Sequence, residues 1–363
     1  MFKTRHLFFF LFFLFSKALF SQQKGVDEII NEAFQPISSF WESLIFHEFF
    51  GTGIPTIIIL LVGGAAFFTI YFGFINIRGF GISLKTVMGK YDKLDNERSN
   101  KGEVSHFQAL ATAVSGTVGN GNIAGVAMAI AIGGPGATFW MILCGILGMS
   151  SKFVECTLGV KYREIGSDGT VYGGPMYYLK KGLSEIGYDK LGKVLGITFA
   201  ILCIGASFGG GNAAQSNQAA MQLVNSFGMT GGNARTIIGV IMMIVVGIII
   251  IGGIKRIASV TEKVVPFMAG IYVLACLYII FSNFSYIDDA FGLIVGQAFS
   301  PPAAVGGFIG VLIQGFRRGA FSNEAGSGSA SIAHSAVITS YPASEGLVAL
   351  LEPFIDTVVI CTM

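Results

Sequence analysis

The stretch SGTVGNGNIAG, from Ser115 to Gly125, lies inside an otherwise apolar segment and decides the fold. Glycines and short polar side chains at this density disfavour a continuous helix. In hydrocarbon every backbone N–H and C=O group must be hydrogen-bonded, so a break in a helix is tolerated only where it lines a cavity within the protein. The stretch therefore predicts a broken membrane helix.

The composition around this stretch is that of an integral membrane protein. Hydrophobic residues make up 53% and charged residues 12% of the 363 residues, and the mean hydropathy is +0.69. Soluble domains carry about a quarter charged residues, so a water-soluble fold is excluded. A net charge of +2 offers no basic surface for nucleic acid, and no nucleic-acid partner is expected.

Catalytic and cofactor motifs do not stand out from this composition. The five cysteines lie in apolar segments without metal-ligand spacing, and we interpret them as small buried hydrophobes. The sequence shows neither a nucleophile elbow nor a phosphate-binding loop after a strand. We therefore expect neither an enzyme nor a bound cofactor.

Apolar segments near the 20 residues that cross a bilayer recur along the chain. They predict an all-α, polytopic helical bundle, in contact with the lipid bilayer. Eight candidate spans are Ile54 to Ile77, Phe107 to Ile132, Thr138 to Val160, Val194 to Leu223, Thr236 to Gly253, Val264 to Ser282, Val305 to Ala333 and Leu347 to Met363.

Lys and Arg in the connecting loops predict the orientation, because these residues are retained on the cytoplasmic side. They crowd the loops at 78–101 and 161–193, whereas the loops at 224–233 and 283–304 hold none. Residues 1–21 pair Lys3 and Arg5 with a short apolar run, which predicts a cleaved signal peptide, with an uncleaved anchor helix as the alternative. Both patterns predict a bacterial inner (cytoplasmic) membrane protein with a periplasmic mature N-terminus.

A second glycine-rich stretch, RRGAFSNEAGSG, lies in the seventh span from Arg317 to Gly328. Gly116 and Asn120 of the first stretch share their spacing with Gly319 and Asn323 of the second. The seventh span comes five positions after the second in the order of spans, so the two helices are expected to run in opposite directions, as in an inverted repeat. The alternative is that both stretches are close-packing faces between helices, and the two interpretations are compatible.

A pair of antiparallel broken helices presents freed amides for a carboxylate and freed carbonyls for Na⁺ or an ammonium group, so a zwitterion and a cation fit together there. A small neutral amino acid is the simplest such ligand. Ionisable groups within a span usually face the interior, so Arg317, Arg318 and Glu324 are expected to be gating or structural. Gln215, on the fourth span, is either a site residue or an interhelical hydrogen-bonding residue.

Four motifs occur in order: SGTVGNGNIAG from Ser115, GGPGATFWM from Gly133, GGPMYY from Gly173 and RGAFSNEAG from Arg318. Together they resemble the alanine/glycine:cation symporters, also called the sodium:alanine symporter family. The resemblance runs from about Phe50 to Met363.

The resemblance implies a leucine-transporter-like 5+5 inverted repeat with one extra N-terminal helix, and Na⁺-driven uptake of alanine or glycine. It divides the chain into a signal peptide (1–21), a short periplasmic segment (22–50), the extra helix (51–77), a first five-helix repeat (104–282) and an incomplete second repeat (305–363). On this division the chain is expected to be truncated in the second repeat.

The resemblance also implies where the site lies, between the first helix of each repeat with the helix of Gln215 as a third wall. The implied cation contacts are Gly116, Asn120, Asn122 and Asn323. The implied substrate contacts are Thr117, Gly119, Gly121, Asn122, Gln215, Gly319, Phe321, Ser322 and Asn323.

Two alternatives stay open at this point. One is an H⁺-coupled amino-acid transporter of the same fold, for which Glu324 is the only carboxylate that the sequence places near the site. The other is a fragment that binds an amino acid without transporting it.

Overall fold

A computed structural model describes residues 26–91, 102–229, 234–300 and 306–363, and in this part of the chain the protein is mostly helical, as predicted. The predicted signal peptide at 1–21 lies outside the described residues. Three described helices are long and apolar enough to cross a membrane: Gly136–Tyr162, the continuous stretch Asp189–Ser226 and Gly253–Ser282. Three shorter apolar helices accompany them: Thr56–Tyr71, Asn120–Gly133 and Ala234–Ile250.

The chain divides into two compact units, and the described residues 26–57 belong to the first. Its helix α1 (Val26–Ile45) repeats apolar residues at helical spacing, and Phe34, Phe40 and Leu44 are exposed. A turn closed by a bridge between Glu48 and Pro55 follows. The sequence analysis predicted only a short periplasmic segment at 22–50, because α1 is too polar to be recognised as a membrane span.

The described part of residues 58–363 belongs to the second unit and is mostly helical. The strands assigned in this described part form one short antiparallel hairpin, β1 (Glu164–Ile165) and β2 (Val171–Tyr172). The helices are α2 (Thr56–Tyr71), α3 (Ile75–Arg78), α4 (Phe80–Val87), α5 (His106–Thr117), α6 (Asn120–Gly133), α7 (Gly136–Tyr162), α8 (Pro175–Glu185), α9 (Asp189–Phe208), α10 (Ala214–Ser226), α11 (Ala234–Ile250), α12 (Gly253–Ser282), α13 (Ile287–Phe299), α14 (Gly307–Asn323), α15 (Ala330–His334), α16 (Pro342–Ala349) and α17 (Leu351–Pro353). Two π-helical turns continue α9 and α17, at Gly209–Ala213 and Phe354–Ile360.

The second predicted span is broken in the structure, and the break falls within SGTVGNGNIAG. Helix α5 ends at Thr117 and α6 begins at Asn120. The amide of Gly119 is not part of either helix and donates to Oδ1 of Asn122 at 2.8 Å, which caps α6. The first break is therefore satisfied by a side chain from its own stretch.

The seventh predicted span is broken as well, after α14 ends at Asn323. Glu324 has φ 51°, a left-handed conformation that is strained for a residue with a side chain, and Gly326 and Gly328 also have positive φ. The hydroxyl of Ser327 donates to the Glu324 carbonyl at 2.7 Å, and that of Ser329 donates to the Glu324 carboxylate. The register that matches Gly116 with Gly319 pairs the first break with Phe321 and Ser322, which lie within α14, so the matched spacing does not superimpose the two breaks.

Helix α7 is the platform on which both broken helices pack. Small residues allow the close approach: Gly315 of α14 lies against the backbone of Ala137 and the Cβ of Trp140, and Gly319 lies against Cys144. These contacts are the close-packing face that small residues make between membrane helices. The packing interpretation of the second glycine-rich stretch is thus confirmed for Gly319.

Three segments differ from the predicted spans and loops. The predicted loop at 283–304 contains helix α13, whose Ala298 carbonyl accepts a hydrogen bond of 3.0 Å from the Trp140 indole. The predicted loop after the first span contains α4, and the end of that span forms the separate short helix α3. The eighth span begins earlier, at Pro342, because proline fits the first turn of a helix.

Arg163, at the end of α7, holds the chain that follows α15. Its guanidinium donates to the carbonyls of Ser335, Val337 and Thr339 at 2.7, 2.5 and 2.9 Å. Val104 pairs with Val337 in the same region. The non-helical segment between α15 and α16 therefore has its carbonyls satisfied by a side chain and by a neighbouring strand-like contact.

The close contact at Gly315 generates a stability prediction. A methyl group there would lie 2.5 Å from the Ala137 carbonyl oxygen, so Gly315→Ala is expected to force α14 away from α7 and to cost about 1–3 kcal/mol. The measurement is the melting temperature of the purified protein in detergent. Gly239→Ala, in a helix position with open space around it, is the control and should leave the melting temperature unchanged or slightly higher. Equal melting temperatures for the two variants would contradict this packing.

Candidate functional site

The two broken helices meet at their broken ends. Nδ2 of Asn122, in the first turn of α6, donates to Oγ of Ser322, near the end of α14, at 3.0 Å. On the same side, a methyl group at Gly121 would lie 3.8 Å from the ring of Phe321. The structure thus brings together predicted substrate contacts that are 200 residues apart in the chain.

A carboxylate that the sequence analysis did not single out lies at the centre of this meeting point. Asp356, in the π-helical turn Phe354–Ile360, accepts from Nδ2 of Asn122 at 2.7 Å through Oδ2 and from Oγ of Ser322 at 2.6 Å through Oδ1. The three residues are at most 2% exposed. A buried carboxylate is therefore held here by neutral donors alone.

Two further side chains complete this cluster. Oγ1 of Thr357 donates to Oδ1 of Asp356 at 2.7 Å, and Nδ2 of Asn323 donates to Oγ1 of Thr357 at 3.1 Å. Among the described residues no Lys or Arg forms a salt bridge with Asp356. We call Asn122, Ser322, Asn323, Asp356 and Thr357 the polar cluster.

The sequence contains a signal for Asp356 that could have been used. It is an ionisable residue within an apolar span, and such residues usually face the interior of a membrane protein. Glu352 precedes it by one helical turn in the same span. The π-helical turn around Asp356 is a further mark of functional sites, but it is visible only in the structure.

Glu324 does not take the place that the sequence predicted for it. Its side chain is only partly buried and accepts from the Ser329 hydroxyl, within the second break itself. The expectation that Glu324 is the only carboxylate near the site is wrong, because Asp356 touches both Asn122 and Ser322.

The helix of Gln215 reaches the first break, as expected of a third wall. Oε1 of Gln215 accepts from the Asn120 amide at 3.2 Å, and its amide group packs against Gly119. Thr117 is buried at the end of α5, and its hydroxyl points back to the Val114 carbonyl at 3.4 Å. Gly116 has open space where a side chain would lie.

The two arginines of the second stretch lie in different surroundings. The Arg318 guanidinium is 5.4 Å from the centre of the Phe321 ring, within the range of a cation–π contact, and it packs over Gly125. Arg317 is exposed. Arg318 thus connects the outer side of Phe321 with the helix that follows the first break.

Comparison with known proteins gives a consistent result. The sequence profile of the sodium:alanine symporter family matches residues 42–363. The chain is similar to the sodium/alanine symporter AgcS of Methanococcus maripaludis, with 43% identity over 85% of this chain and 66% of that protein.

Two relatives from Bacillus subtilis are also similar. The amino-acid carrier protein AlsT is 41% identical, and the probable sodium/glutamine symporter GlnT is 40% identical, each over 84% of this chain and 61% of that protein. The chain therefore spans slightly less than two thirds of the length of the curated relatives it matches.

The hydrogen bonds of Asn122 generate a prediction that is independent of transport. Asn122→Ala leaves Oδ2 of Asp356 and the Gly119 amide without their side-chain partner, which is expected to cost about 1–3 kcal/mol for each unsatisfied group. The measurement is the melting temperature in detergent and K⁺ buffer. Asn225→Ala, at an exposed position of α10, is the matched control. A loss no larger than that of the control would show that the polar cluster does not hold the two breaks together.

Proposed function

Because the chain belongs to the sodium:alanine symporter family, whose members are transporters and not enzymes, we propose that this multi-pass membrane protein imports a small neutral amino acid, alanine or glycine, together with Na⁺. The observation that carries the proposal is the polar cluster where the two broken helices meet. Relatives named as a sodium/alanine symporter and a probable sodium/glutamine symporter support Na⁺ as the coupling ion.

The chemistry of the polar cluster suits a hard monovalent cation. Asp356 supplies a full negative charge, which is costly to bury without a counter-charge. The hydroxyl oxygens of Ser322 and Thr357 and the side-chain NH₂ group of Asn122 lie around it, and hydroxyl groups turn readily between donor and acceptor roles. Na⁺ would replace the donated hydrogens, neutralise the carboxylate and take these oxygens as ligands.

Of the cation contacts predicted from the sequence, two belong to the polar cluster and two do not. Asn122 and Asn323 are members, and we propose that Asp356, Ser322 and Thr357 join them. The Asn120 amide faces Gln215, whereas Gly116 precedes the first break and has open space where a side chain would lie; both residues stay predicted contacts.

The first break provides the other half of a zwitterion site. Amides at the start of α6 point out of the helix and suit a carboxylate, since the helix N-terminus carries partial positive charge. The Asn120 amide is held by Gln215, so a substrate carboxylate would take over the position of the Gln215 oxygen. Thr117, Gly119, Gly121, Gly319 and Phe321 are the proposed walls, and the closeness of Gly121 to Phe321 favours a small side chain.

Membrane placement and the repeat are part of the same proposal. We place the protein in the bacterial cytoplasmic membrane with the mature N-terminus outside, as the distribution of Lys and Arg predicts. The inverted repeat of residues 104–282 and 305–363 is supported by the way Asn122 and Ser322, each beside a break, meet.

Asp356 also favours one second candidate, H⁺ coupling. A buried carboxylate without a basic partner is neutralised by a proton as well as by Na⁺. Asp356, and not Glu324, is the group that this alternative would use.

Uptake measurements separate the two candidates. The protein expressed from its complete reading frame is reconstituted into proteoliposomes, and the uptake of labelled alanine is measured with an inward Na⁺ gradient. Asp356→Asn is expected to lower this uptake by about a hundredfold or more, because the cation loses the full negative charge of this carboxylate. Asp288→Asn, an exposed carboxylate on α13, is the control and should keep wild-type uptake.

The ionic conditions decide the coupling ion. Uptake that persists when K⁺ replaces Na⁺ and stops when the pH gradient is collapsed would overturn Na⁺ coupling in favour of H⁺. Alanine binding by calorimetry without any uptake or counterflow would instead support a protein that binds without transporting.

Phe321 generates a specificity prediction. Removing its ring opens space opposite Gly121, so Phe321→Ala is expected to let unlabelled glutamine compete with labelled alanine about tenfold better than in the wild type. Phe291→Ala, an exposed ring on α13, is the control. Unchanged competition by glutamine in Phe321→Ala would remove this ring from the proposed substrate pocket.

A further inference from the structure

A second buried group of ionisable side chains lies apart from the polar cluster, and the proposed transport does not use it. Its members come from five helices and are all less than 9% exposed: His106, Lys152, Glu155, His334, Glu345 and Glu352. With neutral imidazoles, the three carboxylates against one ammonium leave two negative charges in excess. Such an excess is costly in a low-dielectric interior, and binding protons reduces it.

The hydrogen bonds of Glu345 fix the two histidines. One oxygen of this carboxylate contacts Nδ1 of His334 at 2.5 Å, and the other contacts Nδ1 of His106. A carboxylate accepts hydrogen bonds, so each Nδ1 carries the hydrogen, and in His334 the Nε2 atom is the ring nitrogen that can still gain a proton.

The Nε2 atom of His334 faces a matching atom on Glu352. Both Nε2 of His334 and Oε2 of Glu352 are buried without a hydrogen-bond partner among the described residues, and they lie 3.9 Å apart. The other oxygen of Glu352 accepts from Lys152 at 3.1 Å. Two buried polar atoms that lack partners and lie this close to each other suit a shared proton.

We propose that His334 and Glu352 form a proton-binding site, separate from the polar cluster. A proton bound to Nε2 turns the imidazole into an imidazolium, which donates to Glu345 through Nδ1 and pairs with Glu352 through Nε2. Both orphaned atoms then have a partner, and one of the two excess negative charges is neutralised.

The charges of the groups around this site favour the binding of a proton. Lys152 and Glu155 lie 3.7 Å apart on α7. The carboxylates outnumber the cations that reach the site. The titratable and charged groups on the elements packed around His334 are His106 on α5, Lys152, Glu155, Cys156 and Arg163 at α7, Tyr178 on α8, Glu345 on α16 and Glu352 on α17.

Because of where this site lies in the fold, binding of a proton is expected to affect how two segments of the chain are held together. His334 is the last residue of α15, directly after the second break, and Glu352 lies one helical turn before Asp356. The protonated pair therefore ties the chain behind the break to the helix that carries the central carboxylate. Acidification is expected to stabilise the described arrangement of these helices, whether or not the proposed transport of alanine is correct.

The test compares two histidines that share Glu345. The side-chain NH₂ group of asparagine donates a hydrogen bond in place of Nδ1 of histidine, and asparagine has no counterpart of Nε2. His334→Asn therefore keeps a donor to Glu345 and removes the nitrogen that is proposed to bind the proton. His106→Asn makes the same change in the other histidine that contacts Glu345. Glu352 lies beside His334 and forms no ion pair with His106 among the described residues. Melting temperatures of the purified full-length proteins are measured in detergent from about pH 8 to about pH 5.

The expected result is a loss of pH dependence in one variant only. The melting temperature of the wild type relative to His334→Asn should rise by at least about 3 °C as the pH falls, since the pair forms only when protonated. His106→Asn should follow the wild type. A His334→Asn profile parallel to that of the wild type would overturn the proposal.

A spectroscopic measurement covers the case in which His334→Asn does not fold. The protein has 4 histidines, so ¹⁵N-histidine labelling of the wild type gives few signals. The imidazole of His334 is expected to keep Nδ1 protonated and to have a protonated Nε2 at about pH 5, and its signal should persist in His106→Asn. An Nε2 that is still without a proton at about pH 5 would overturn the proposal.

Discussion

A helix can break inside a membrane only where other groups satisfy the amides and carbonyls that the break releases. The rest of this structure depends on that constraint. The side chain of Asn122 accepts from the Gly119 amide, Gln215 accepts from the Asn120 amide, and Asn323 accepts from the Ala325 amide at 2.9 Å. The residues that repair the breaks are therefore the residues proposed to hold the ligands, so stability and binding draw on the same side chains.

Much of this arrangement could be predicted from local sequence. Glycine density located both breaks, because the backbone preference of Gly, Asn and Ser is a short-range property. The polar cluster was found only in part, because Asp356 contacts Asn122 across 234 positions and no pattern within one span encodes that contact. Helices α1 and α13 were missed for a different reason, since both are too short or too polar to be recognised by a span-length criterion.

Two buried charge systems share one helical segment. Glu352 belongs to the ionisable group beside His334 and Lys152, whereas Asp356, one turn later, is surrounded by neutral donors. The first system contains ionic partners within the protein, although they do not balance its charge, and the second has none among the described residues. This contrast explains why a cation is proposed at Asp356 and a proton beside Glu352.

Arg163 meets two separate requirements, one during membrane insertion and one in the folded protein. In the predicted topology it is one of the basic residues that keep its loop in the cytoplasm during insertion, a role that any positive charge fulfils. In the folded chain its forked head group holds three carbonyls of the segment after α15. A lysine, with one side-chain nitrogen, would direct membrane insertion equally well, but it could not hold the three carbonyls as the guanidinium does. The folded structure therefore requires arginine at a position where the insertion signal requires only a positive charge.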